Sequence, residues 1–138
     1  MSDPSADKPL PEPTPGSAPF WEGLKAHKLV LQRCTSCQRL RHYPRPMCDH
    51  CHSMESDWVE ATPKGTVYSW TVAHHPFHPG FKQELPYVVV TVEMADGVRM
   101  AGRLTGNDAS VLRVGQPVRL EYDDVDENLT LPRFTVDE

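Results

Sequence analysis

Cys34-Thr-Ser-Cys37 and Cys48-Asp-His-Cys51 decide how the segment that holds them folds. They contain all four cysteines of the 138-residue chain, and ten residues separate the two C-x₂-C pairs. A C-x₂-C turn places two thiolates on one side of a tight knuckle, and two facing knuckles complete a tetrahedron of soft sulfur donors. Such a donor set suits Zn²⁺ and leaves no coordination position open, so the site reads as structural rather than catalytic. Tyr43-Pro44-Arg45-Pro46 stiffens the loop that returns the chain to the second knuckle. Two other readings compete: a pair of disulfides, and iron, since a tetrahedral S₄ site serves both metals. The sequence shows no signal peptide and no apolar span of membrane length. A reducing cytoplasm is therefore the expected compartment, which disfavours disulfides. His42, His50 and His52 lie close by, but four cysteines fill the site, so they are read as surface groups or as groups behind the ligands.

Around the knuckles, residues 28–33 read as a strand entering the first, residues 39–43 as the return strand, and Trp58 as the start of a third. Leu29, Leu31, Leu40 and Trp58 are expected to form a small apolar cluster beside the metal. Upstream, residues 20–27 (FWEGLKAH) read as one short helix with Phe20, Trp21 and Leu24 on one side. That helix is too short to be stable alone. Phe20 and Trp21 either dock on another protein or cap the ribbon's own core, and both readings stand. Residues 1–19 carry Pro4, Pro9, Pro11, Pro13, Pro15 and Pro19 with little apolar surface. They read as an extended or disordered linker that forms no helix. The expected units are thus the linker 1–19, helix and ribbon 20–62, and a second unit 63–138 with its own core.

From Gly65 onward the pattern is all-β. Residues 66–75 alternate, which places Val67, Ser69 and Thr71 on one face and Tyr68, Trp70 and Val72 on the other. Residues 87–94 (YVVVTVEM) are dense in β-branched side chains and read as the central strand. Ala95-Asp96-Gly97 is a tight-turn signal, and residues 98–104 pair back. Residues 105–116 form a crossover with room for one helical turn. Residues 117–122 and 129–136 supply two further strands. Five short strands with one long connection after the third fit an OB-type Greek-key barrel, with an SH3-like barrel as the alternative.

Net charge is −5, which argues against general nucleic-acid binding, because phosphate contacts need a positive surface. The charge is uneven. No acid lies between Glu22 and Asp49, a span that holds Lys25, Lys28, Arg33, Arg39, Arg41 and Arg45. This basic run is either a solvated face or a surface for an anionic ligand or partner. The loop His74-His75-Pro76-Phe77-His78-Pro79-Gly80-Phe81 packs three histidines and two phenylalanines into eight residues. It has no carboxylate for a second metal and no nucleophile in motif spacing. It reads either as a binding loop for a partner's groove or as a lid packed over the barrel mouth.

FWEGLKAHKL, LQRCTSCQRLRHYPRPMCDHC, GTVYSWTVAHHPFHPGF, LPYVVVTVEMADGVRMAGRL and VGQPVRLEY, in that order, resemble the acyl-CoA-associated zinc-ribbon/OB-fold proteins, the family called domain of unknown function thirty-five. The resemblance runs from about Phe20 to about Phe134 and excludes the proline-rich start. It implies a mostly β chain: a short helix and a rubredoxin-like zinc ribbon held by Cys34, Cys37, Cys48 and Cys51, then a five-stranded OB barrel. It implies a non-catalytic subunit of a thiolase-fold enzyme, either an acyl-CoA thiolase or acyltransferase or a thiolase-like aldolase that shortens steroid side chains. Some family members follow a hydratase domain through a linker. By position, the implied partner or acyl-CoA-channel residues are Phe20, Trp21, Trp70, His74, His75, Phe77, His78, Phe81 and Tyr87. The reading from a different class is a nucleic-acid-binding module, since zinc ribbons and OB folds also serve that role. Against it, residues 66–75 carry aromatics but no basic residue.

Overall fold

The computed structural model describes residues 9–76 and 78–137. Helix α1 (Ala18–Lys25) opens the ordered elements and is followed by β1 (Val30–Cys34), β2 (Leu40–Arg41) and β3 (Ser56–Glu60). These strands form an antiparallel sheet in the order β2-β1-β3. Strands β4 (Lys64–Ala73), β5 (Tyr87–Met94), β6 (Arg99–Leu104), β7 (Pro117–Asp124) and β8 (Thr130–Val136) close a barrel in the order β4-β5-β6-β8-β7. β6 pairs with β8 in parallel, and β4 pairs with β7 to seal the barrel. This is the OB-type architecture, and the SH3-like alternative drops out. The long connection after β6 holds a short 3₁₀ turn, Ala109–Val111, as its length requires.

The helix begins earlier than the proline tract implies. Ser17 precedes it and Pro19 sits in its first turn, where the missing N–H is one the helix cannot use anyway. The expectation that residues 1–19 form no helix is therefore corrected at its last two positions; residues 1–8 lie outside the described residues. Gly23 faces β1 so closely that a Cβ there would stand 2.7 Å from Cγ2 of Val30 and 3.1 Å from the Lys28 carbonyl oxygen. That contact turns Phe20 and Leu24 inward, and both are buried.

β4 departs from strict alternation. Val67 pairs with Val92, but Ser69 pairs with Thr91, so Tyr68 is an extra residue and the strand bulges. Val67 is buried, while Ser69 and Thr71 are exposed and Trp70 and Val72 pack against the core. The bulge puts Val67 on the face of Trp70 and Val72, which corrects the expectation that it shares a face with Ser69 and Thr71. Tyr68 is left outside under the guanidinium of Arg99, 3.9 Å from its ring centre.

Ribbon and barrel share one core. Phe20, Leu24, Leu29 and Leu31 belong to the same buried cluster as Val67, Val88, Val90, Val92, Met100, Leu120 and Phe134. Leu40 and Trp58 pack against that cluster, so they do not form a separate group beside the metal. His27 crosses the junction as well: its Nε2 lies 3.0 Å from both carboxylate oxygens of Asp124, and its ring stacks on Tyr122 at 4.8 Å.

Candidate metal centre and partner surface

The ribbon sheet brings the two knuckles face to face. Sγ of Cys34 lies 3.5 Å from Sγ of Cys51, and Sγ of Cys37 lies 3.7 Å from Sγ of Cys48. All four sulfurs fall within 4.8 Å of one another. A tetrahedron with Zn–S bonds of about 2.3 Å has edges of ~3.8 Å, so the cage fits the ion. Cys48 Sγ accepts from the N–H groups of His50 at 3.4 Å and Cys51 at 3.5 Å. Donation from the backbone N–H of Cys37, outweighing burial, lowers the Cys34 thiol to about 6. Such bonds stabilise thiolate, the form that ligates metal. The cysteines are unbridged, which removes the disulfide reading. Zinc bound here is four-coordinate and closed, so its contribution is to folding.

The loop that joins the knuckles is held by a buried arginine. Arg41 Nε donates to Oε1 of Gln32 at 2.7 Å, and Arg41 Nη2 donates to the carbonyl of Arg45 at 2.7 Å. The Arg45 N–H donates to the same Gln32 oxygen at 2.8 Å. Beside this network the His42 ring packs 5.0 Å from Phe20, and neither of its nitrogens has a hydrogen-bond partner among the described residues. Burial lowers its pKa to about 4, so His42 is an internal neutral group rather than a surface one. His50 and His52 are exposed.

The basic run reads differently in three dimensions. Arg41 is internal, Arg33 forms a two-pronged pair with Asp57 at 2.6 and 3.0 Å, and Arg45 stands 3.8 Å from Asp49. Lys25, Lys28 and Arg39 remain exposed. The run is therefore no continuous positive face.

The residues expected to meet a partner divide. Phe20 is 2% exposed and belongs to the core, so it is corrected from anchor to core. Trp21 is half-buried and edge-on to Phe20, with ring centres 5.1 Å apart. Trp70 leans on the core from the inward face of β4. His74 and His75 are exposed at the end of β4, and Phe77 lies outside the described residues. His78 caps a 3₁₀ turn, Pro79–Glu84, by accepting the Gly80 N–H at Nδ1, 3.0 Å away. Phe81 lies edge-on to His78 at 6.3 Å and tilted on Tyr87 at 5.7 Å. Arg103 covers Tyr87 at 4.7 Å and donates to Glu84 Oε1 at 2.6 Å. The loop is thus a built surface, a ladder of His78, Phe81, Tyr87 and Arg103 fastened by Glu84. Arg103 and Glu84 carry no motif; only their places in the fold bring them to it.

Two family models match the chain: the rubredoxin-like zinc ribbon domain of ChsH2 over residues 21–55, and the C-terminal OB-fold domain of ChsH2 over residues 58–123. The chain is 45% identical over 131 residues to a probable enoyl-CoA hydratase alpha subunit of Thermomonospora curvata. It is 40% identical over 114 residues to the 3-oxo-4,17-pregnadiene-20-carboxyl-CoA hydratase alpha subunit of Mycobacterium tuberculosis. These matches take in 95% and 83% of this chain but span only 40% and 36% of those proteins. A solved structure, the Ltp2-ChsH2(DUF35) aldolase, superposes with a TM-score of 0.81 at 43% identity, covering 92% of this chain and 98% of that one. On its zinc ribbon, its OB barrel and these likenesses, the chain belongs to the ChsH2-type DUF35 family of zinc-ribbon/OB-fold proteins.

Proposed function

We propose that this chain is a non-catalytic subunit that docks on a thiolase-fold enzyme and helps shape its acyl-CoA channel. The observation that carries the reading is its likeness, over nearly the whole of the matched chain, to the DUF35 component of an aldolase complex. The acyl-CoA class follows from the relatives' names, one of which is a steroid CoA hydratase subunit. The chemistry, thiolysis, acyl transfer or retro-aldol cleavage, belongs to the partner's residues. The ladder of His78, Phe81, Tyr87 and Arg103, with Trp21 and the exposed His74 and His75, is the surface offered to it. Aromatic anchors of this kind supply most of the energy in small interface cores.

The nucleic-acid reading is weaker for a specific reason. Among the described residues Arg33, Arg45, Arg103, Arg119 and Arg133 each pair with a carboxylate, which offsets five of the fourteen Lys and Arg charges in a chain whose net charge is already −5.

The test mixes the purified zinc-loaded chain with a purified thiolase-fold aldolase and follows sedimentation and acyl-CoA turnover. The expected result is a hetero-oligomer whose activity exceeds that of either component. Phe81→Ala should weaken assembly by on the order of 2 kcal/mol, roughly thirtyfold. Turnover by the chain alone, lost on changing one of its own residues, would refute the reading.

A further inference from the structure

Strands β6 and β8 run parallel but share only two register pairs, Arg103 with Arg133 and Leu104 with Phe134. Before those pairs the strands part, and Pro132 has no N–H to extend the ladder. A groove of about 690 Å³ opens there on the outer face of the barrel. Ala101, Val125, Leu131 and Pro132 give it apolar walls, and Phe81 from the capped turn closes one side. Arg103, Asp123, Asp124, Asp126 and Arg133 give it a charged rim, and the chain's own arm reaches it through Pro9 and Leu10. Leu10 is 45% exposed, and it is the one large aliphatic side chain among residues 9–17, where prolines stand at 9, 11, 13 and 15.

We propose that residues 9–13 are a strap that seats along this groove with Leu10 as its anchor, bracing the barrel where β6 and β8 part. Three observations support that occupant over a free linker. The arm is rooted: the Ala18 N–H donates to the Thr14 carbonyl at 2.8 Å and the Thr14 N–H to Ser17 Oγ at 3.0 Å, just before a helix whose Phe20 and Leu24 are core. Alternating prolines hold an extended backbone in advance, so less conformational entropy is lost on seating. The groove walls are themselves fixed, because Arg103 is tied to Glu84 and Arg133 to Asp123. The strap is a property of the isolated chain and does not depend on the partner.

Nuclear magnetic resonance of the zinc-loaded full chain tests it. Leu10 methyl groups should show Overhauser contacts to Ala101 and Leu131. The Leu10 amide order parameter should approach about 0.85 and fall below about 0.6 in Ala101→Glu, which fills the groove from its exposed opposite wall. Leu10→Asp should shift Ala101 and Leu131 resonances while leaving those of β1 and β3 in place. Spectra filtered on a mixture of labelled and unlabelled chains identify whose arm is bound. A Leu10 that is already below about 0.6 in the unmodified chain overturns the proposal. So do contacts found only between chains, which would make a second copy the occupant.

Discussion

The ribbon and the barrel meet in one core but are held by different forces. β2 has two residues and pairs with β1 at two positions, far too little to stand by itself. What fixes that end is the sulfur cage and the buried Arg41, held by Gln32 and the Arg45 carbonyl. The barrel needs neither. Val88, Val90 and Val92 alternate inward from β5, and Phe134 fills the centre from β8. Their burial is the ordinary hydrophobic driving force, worth roughly 1.5–3 kcal/mol for each large side chain. A local chemical constraint can therefore replace a core where the chain is too short to supply one, and a neighbouring core can finish it.

Removing the metal should break this comparison most strongly. Zinc binds such sites with roughly 10–16 kcal/mol of apparent free energy at neutral pH, and that energy is folding energy. Chelation, or Cys48→Ser, should collapse the amide dispersion of β1, β2 and β3 while β5 stays protected. A ribbon that keeps its dispersion without metal would end the distinction.

Next in size are the shared core residues. Phe134→Ala and Phe20→Ala should each cost about 3–5 kcal/mol in urea unfolding, with zinc content unchanged. Equal costs from a ribbon-side helix and a barrel strand would confirm that the core is continuous. A midpoint unmoved by Phe20→Ala would show that it is not.

His42 gives the pH dependence. Its folded pKa of about 4 lies below the ordinary value of 6.5, so the unfolded chain takes up the proton first. The stability from keeping it neutral is complete above 6.5 and is lost as pH falls toward 4, by on the order of 3 kcal/mol. His42→Phe should flatten that part of the acid profile relative to the parent chain.

Gly65→Ala should cost about 1–3 kcal/mol, because the new Cβ overlaps the Glu93 carbonyl oxygen across the β4–β5 ladder, where neither backbone can give way. His27→Ala should have the smallest effect. Its pair with Asp124 is half exposed and screened, and a shift well beyond the precision of a urea midpoint would mark it as a true clasp between the two units.

Much of this was legible in order of locality. The cage could be read because its constraint lies within four residues on each side. The five strands could be read because alternation and an Asp-Gly turn are short-range signals; the Gly97 N–H does reach the Met94 carbonyl at 2.8 Å. Phe20 could not be assigned, since an apolar helix face shows that something covers it and not what. Its cover includes His42, twenty-two residues on, in a loop that composition marks as polar. The basic run could not be assigned for the same reason: Asp57 neutralises Arg33 from another strand, and Arg41 turns inward. The ladder on the loop depended on Arg103 and Glu84, whose meeting is a fact of topology alone.

The bulge at Tyr68 sets where this strand can change length. Val67 and Ser69 already face consecutive residues of β5, Val92 and Thr91. Deleting Tyr68 would leave both pairs intact and every later side chain of β4 on its present face. Deleting Thr71, beyond the bulge, would instead shift the rest of the strand by one and swing Val72 out of the core. A family alignment read for gaps should therefore find its losses in β4 at this position, and an engineer who needs a shorter, straighter barrel edge has one residue to spare there.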